Sequence, residues 1–220
     1  MSIRKLLMVY RIKPFASHLN DEIDLGYQRS PGAQGSWARF VENEKPVPQE
    51  YAPTLVVSER EKPLPDAFEI SRHFWCVSAR VREMMEKLFG SQVAFFEVPV
   101  VTAANKASLP STHFVTFSEF HSLIDWSKSK IRARPLSTSM SDAEAIVLAD
   151  VRGAAVFTAM PNDRDLIWIE RSFWHGNRFF MPGVDVYATN EAARSITEVF
   201  PKIFIMTEFE ESPVSKAGTK

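Results

Sequence analysis

Only two stretches of this chain keep a helical hydrophobic period, and that scarcity limits the folds open to it. The first, SARVREMMEKLFG (78–90), places Val81, Met84, Met85 and Leu88 on one face and Arg80, Arg82, Glu83, Glu86 and Lys87 on the other. Ser78 stands where a hydroxyl accepts from a free backbone N–H of the first turn, and Gly90 supplies a left-handed stop. The second, TNEAARSITEVFP (189–201), turns Ala192, Ala193, Ile196, Val199 and Phe200 inward. It opens on Thr189 or Asn190 as cap and ends at Pro201. The two overlay without a gap, cap on cap, with Leu88-Phe89 over Val199-Phe200. Each lies between β-rich runs, Phe74–Val77 and 93–101 for the first, 185–188 and 203–209 for the second. This reads as one strand–capped helix–strand unit used twice.

The rest is β-leaning and punctuated. IRKLLMVYRI (3–12) reads as a strand, and 14–65 as irregular covering chain with short strands around Trp37–Val41 and Thr54–Ser58. Further strands are expected at 112–117, 143–151, 154–160 and 165–173. Pro99 confines the 93–101 strand to a sheet edge or its own end, because it cannot donate to a ladder. The fold class is α+β, with mostly antiparallel short strands and two strand–capped helix–strand units, lacking the regular alternation of a doubly wound sheet. The expected division is 1–65, an N-terminal strand and Pro/Gly-rich region packing on the core; 66–211, the α+β core; and 212–220, a disordered tail.

Chemistry is sparse. The formal net charge of −1 gives no global field to draw nucleic acid or an anionic membrane. No apolar run reaches the roughly 18 residues of a membrane span. A single cysteine permits no intrachain disulfide and no Cys-rich zinc cluster, which fits a reducing, cytoplasmic setting. In HFWC (73–76), residues three apart on a strand point to opposite faces, so His73 cannot serve Cys76. Cys76, between Trp75 and Val77, is expected to be structural. His18, His113, His121 and His175 show no metal spacing, and no GxSxG, Walker or GxGxxG motif occurs. No catalytic residue, metal ligand or cofactor is assigned. KSKIRAR (128–134) lines Lys128, Lys130, Arg132 and Arg134 along one face. It is read as a charged edge strand that resists edge-to-edge pairing, since no aromatic interleaves it to stack bases.

One segment has the composition of a contact. ERSFWHGNRFF (170–180) groups Arg171, Phe173, Trp174, His175 and Arg178 about a His-Gly-Asn turn. Trp and Arg are enriched among residues that dominate binding energy. Either the aromatics of this hairpin close the core, or the loop meets a partner. Asp21, Glu22 and Asp24 could steer a basic partner, acting on association rate.

The order PDAF (65–68), WCVSARVREMMEKL (75–88), AFFEVPV (94–100), HFVTF (113–117) and LIDWSKS (123–129) resembles a family of bacterial immunity proteins encoded beside polymorphic toxins. The likeness rests on Pro65-Asp66, on the Val77-Ser78 helix start, and on Ile124-Asp125 with Ser127 or Ser129. The closing strand–helix–strand fits too, with Thr189 where the family has serine and Pro201-Lys202 where it has glycine. Spanning 66–210, the resemblance implies an α+β protein without catalysis that binds and neutralises the toxin of a neighbouring gene. It carries over no set of functional residues. Two other classes stand beside it: a small enzyme pairing His113 or His175 with a distant carboxylate, and a regulatory domain that binds cellular proteins.

Overall fold

The computed structural model describes residues 9–17, 25–30, 37, 40, 43–59, 64–71, 74–135, 146–151, 156–158, 166–171, 173–175, 178–182 and 185–209. Their strands form three sheets. The seven-stranded sheet runs β2 (Ala16–Ser17), β5 (Ala67–Ser71), β6 (Phe74–Val77), β8 (Ser108–Phe117), β7 (Val93–Thr102), β4 (Pro53–Ser58), β3 (Leu25–Arg29). The five-stranded sheet runs β16 (Phe204–Phe209), β1 (Val9–Pro14), β15 (Val186–Thr189), β12 (Ile167–Glu170), β9 (Phe120–His121). The four-stranded sheet runs β10 (Ile131–Pro135), β11 (Ile146–Val151), β14 (Arg178–Pro182), β13 (Phe173–His175). Most pairings are antiparallel; β2–β5, β4–β7, β9–β12 and β11–β14 are parallel.

The two expected helices are α1 (Ala79–Phe89) and α2 (Asn190–Val199), and the repeat is visible in how their strands connect. β6 and β7 are both antiparallel to β8, which lies between them. β15 and β16 are likewise both antiparallel to β1, which lies between them. Each helix thus crosses over one intervening strand, joining parallel strands about 9.5 Å apart, two strand spacings. α1 lies against β7 and β8, and α2 against β1 and β15.

One core joins the two units. Val81, Met85 and Phe89 from α1 and Ala192 and Ile196 from α2 enter the same apolar cluster as Trp75, Phe114 and Phe204. Trp75 stands edge-on to Phe117 at 5.1 Å and meets Phe204 at 5.6 Å, linking the seven- and five-stranded sheets. A second cluster covers the other face of the five-stranded sheet, built from Val9, Trp168, Tyr187 and Phe209 with Leu123, Ile124 and Phe157. Cys76 is fully buried in β6, and burial pushes its thiol pKa well up, so it packs as a small hydrophobe.

Several expectations need adjusting. The strand expected at 3–12 is present over its described part and runs on to Pro14, as Val9–Pro14, while residues 3–8 lie outside the described set. Of the strand expected around Trp37–Val41, the two described residues are not extended: Trp37 sits in a turn and Phe40 is helical. The Trp37 indole donates to the Tyr51 carbonyl at 2.7 Å and its ring lies among Tyr27, Phe74 and Phe114, so it is spent on the core. Pro99 lies in an interior strand, between β8 and β4; a register shift between Val98 and Val100 absorbs the missing donor. Val199 is 56% exposed, and Phe200 instead lies against the core, with the Arg80 guanidinium 5.3 Å over its ring. The tail 212–220 lies outside the described residues. Among those residues, no helix is long and apolar enough to cross a membrane.

The two caps differ in chemistry. The Thr189 hydroxyl accepts from the Ala192 backbone N–H at 3.4 Å, as expected of an N-cap. Ser78 occupies the equivalent backbone position, yet its hydroxyl makes no cap bond and donates to Asp66 Oδ1 at 2.7 Å. Thr189→Ala should therefore cost about 1 kcal/mol in urea unfolding, with Thr189→Ser largely restoring it. Cys76 should react with a thiol reagent only at the rate of global unfolding, and fast labelling of folded protein would contradict its burial.

Candidate functional site

The expected contact segment begins at the end of β12. Arg171 is exposed, but its guanidinium is engaged: Nε donates to the Phe120 carbonyl at 2.9 Å and lies 3.2 Å from Glu44 Oε2. The Arg171 backbone N–H also donates to the His121 carbonyl at 2.8 Å. Arg171 thereby ties the strand end to β9 and to the 43–45 segment. Beyond it the chain forms the β13–β14 hairpin, with Phe173 opposite Phe180, Trp174 opposite Phe179 and His175 opposite Arg178. Strand alternation puts Trp174 and Arg178 at positions on opposite faces. β13 is an edge of its sheet. What the side chains of Phe173, Trp174, His175 and Arg178 meet lies outside the described residues, as do Asp21, Glu22 and Asp24. The structure therefore brings five of the eight candidates onto one anchored segment.

Directly behind Arg171, sequence reasoning passed over Glu170. This carboxylate is 1% exposed; Oε1 accepts from the Ile124 N–H at 2.8 Å and Oε2 from the Trp168 indole at 3.1 Å. It fixes the turn that carries Ile124-Asp125. Asp125 in turn accepts from the Ser127 hydroxyl at 2.6 Å and from Lys128 Nζ at 2.6 Å, and its own N–H donates to Val156 O at 2.7 Å. Ser129 Oγ accepts from the Val156 N–H at 2.9 Å. The Lys128 and Ser127 bonds hold the Asp125 carboxyl below its usual range. This turn holds itself and the 156–158 segment in place.

The other motif is also a structural node. Asp66 receives the Ser78 hydroxyl and both ends of the Arg80 fork, with Arg80 Nε at 2.6 Å, and the Ser78 N–H donates to the Asp66 carbonyl at 2.8 Å. Its carboxyl pKa is lowered, chiefly by the Arg80 hydrogen bonds. Pro65-Asp66 and the helix start at Ser78 are thus two halves of one clamp holding α1 to β5.

No catalytic geometry emerges around the described histidines. His113 is 5% exposed, and its Nε2 lies 3.1 Å from Arg82 Nη1; burial first, then the guanidinium, holds its pKa below the ordinary imidazole range. A general base at this site would face a cation. His121 lies 3.2 Å from Glu119 but is partly open to solvent. His18 and His73 lie outside the described residues, while His175 is placed only by its register. Among the described residues, no three of His, Cys, Asp and Glu gather as a metal site needs. The apolar crevice between Lys45–Val47 and Phe120–Ile169 has room for little more than a water molecule. The basic stretch forms β10, an edge of the four-stranded sheet as expected, with Arg132 exposed and Lys128 in the preceding turn.

The buried Glu170 makes stability depend on pH. Burial pushes its carboxyl from 4.5 up to about 7, against the opposing pull of its hydrogen-bond donors. The folded state therefore holds this proton more tightly than the unfolded chain. Its contribution is full below about 4.5 and is lost as pH rises through about 7, a difference of about 3 kcal/mol. Glu170→Gln keeps an acceptor for Ile124 but has no proton to lose. In urea midpoints measured at pH 5 and at pH 8.5, the wild type should lose about 2.5 kcal/mol more than the variant; parallel losses would remove Glu170 as the cause.

The comparisons with known proteins bear on these nodes. No curated protein matches the chain. A family model described as "Immunity protein family (Imm11)" matches residues 17–155. This begins earlier and ends sooner than the 66–210 span of the sequence resemblance, and it contains both the Asp66 clamp and the Asp125 turn. On a match over more than half its length, the chain belongs to the Imm11 immunity protein family.

Proposed function

We propose that the protein binds and neutralises a toxin domain encoded beside it, in the cytoplasm, by protein–protein contact and without catalysis of its own. The observation that carries this reading is its membership of an immunity family. The place of contact we assign to the 171–178 segment. Its root is fixed by the buried Glu170 and by Arg171 bonded to Phe120, so the β13–β14 hairpin stands on a rigid base. A preorganised element loses less conformational freedom on binding, and aromatic and arginine anchors carry most of the energy at such surfaces. With Trp174 and Arg178 at positions on opposite faces, the partner would grip the hairpin from its edge or tip.

Asp21, Glu22 and Asp24 are assigned a steering role that changes association rate and its salt dependence. The enzyme reading is the weaker one, because His113, the most buried histidine among the described residues, has a cation, and no carboxylate, on its Nε2. A regulatory protein-binding domain would predict capture of a cellular protein rather than of the product of the adjacent gene. Pull-down with that product decides between them.

Trp174→Ala with Arg178→Ala should weaken the toxin complex by at least about 2 kcal/mol, roughly thirty-fold, with unchanged unfolding. Full protection of cells by a folded double variant would remove the hairpin from the interface. Failure of the neighbouring product to bind wild-type protein would remove the immunity reading itself.

A further inference from the structure

Sheet edges attract other strands, and most edges here carry a defence. β2 and β9 have two residues each, and β13 has three. β3 has a register shift at Gln28/Arg29, and β10 carries Arg132, Arg134 and Pro135. β16 is the exception: FIMTEF has six residues, no proline and one charge, and its pairing with β1 runs without a shift. Among the described residues nothing pairs with its outer side.

Its free groups can be assigned. The Phe15 N–H donates to the Ile203 carbonyl at 2.8 Å, continuing the register in which Pro14 faces Phe204. Antiparallel ladders alternate hydrogen-bonded and non-bonded pairs, so Ile205, Thr207 and Phe209 bond to β1. Pro14, which has no N–H to offer, correctly falls opposite a non-bonded position. Phe204, Met206 and Glu208 therefore direct their N–H and C=O groups outward.

We infer that this edge pairs with β16 of a second copy of the chain, antiparallel about a two-fold axis at Met206. In that register Met206 meets Met206 of the second copy and Phe204 meets Glu208 of the second copy, so every outward residue finds a hydrogen-bonded partner. Charge fits as well. Lys202, in the turn just before β16, and Glu208, which also bonds Tyr10, are both exposed, and the antiparallel arrangement turns the Lys202 end of each copy towards the Glu208 end of the other. The interface is isologous, the commonest form of protein self-association.

The test uses the full chain. Sedimentation over a micromolar dilution series should give the mass of two chains at high concentration and of one at low. Met206→Pro removes an outward N–H that no intrachain bond uses, and should leave a folded monomer. Thr207→Pro removes an inward one and should destabilise the fold. Amide exchange in the wild type gives a reading free of mutation: Met206 and Glu208 should gain protection as concentration rises, with Thr207 protected throughout. A wild type that stays monomeric, or a Met206→Pro dimer, overturns the inference. So does protection at Met206 and Glu208 that appears only when the product of the neighbouring gene is added, which would give the edge to the toxin.

Discussion

The fold depends on one strand being in place between two others. Val9–Ile12 pairs with β15, Val9–Pro14 pairs with β16, and neither of those strands touches the other. Without β1 the C-terminal unit is two parallel strands with a gap between them and a helix spanning it. Ile12 faces the main core and Val9 the second cluster, so β1 also seals both faces of its sheet. The pairing joins residues more than 170 positions apart, as the Arg11–Asp185 bond at 3.3 Å across that interval illustrates. Closing so long a loop must precede any gain from it, which makes this sheet a late step in folding.

The repeat was legible because period, cap and stop all fall within thirteen residues of chain, where local preferences decide. Cap, stop and the inward stripe survive at Thr189, Gly90, Ala192 and Ile196. The failures came where a distant group intervened. Ser78 has the backbone of a cap, but an Asp66 carboxylate twelve residues upstream, itself held by Arg80, takes its hydroxyl in a charge-assisted bond. Pro99 was read by its missing donor, correctly, but a register shift costs less than moving a ten-residue strand to the edge. Glu170 carried no local signal beyond an acid ending an apolar run. Its role depends on Ile124, forty-six positions away.

The same distinction applies to the motifs behind the family likeness. Pro65-Asp66 with Ser78, and Ile124-Asp125 with Ser127 and Ser129, carry the likeness in sequence and assign no function to any residue. In space each is a small carboxylate-centred lock: Asp66 fastens a helix start to a strand, and Asp125 fastens a turn to the 156–158 segment. Short polar residues recur at such places because they satisfy backbone and side-chain groups that ladders leave open. These motifs hold the scaffold together.

The family match divides the chain. It runs from 17 to 155 and so includes the seven-stranded sheet, α1 and both locks, while β12, the β13–β14 hairpin and the β15–α2–β16 unit lie beyond it. The β13–β14 hairpin lies beyond the match in sequence yet joins it in space, because β14 pairs with β11, which the match includes. The buried glutamate then has a consistent physical purpose: it binds the matched segment, through Ile124, to the strand from which the hairpin springs.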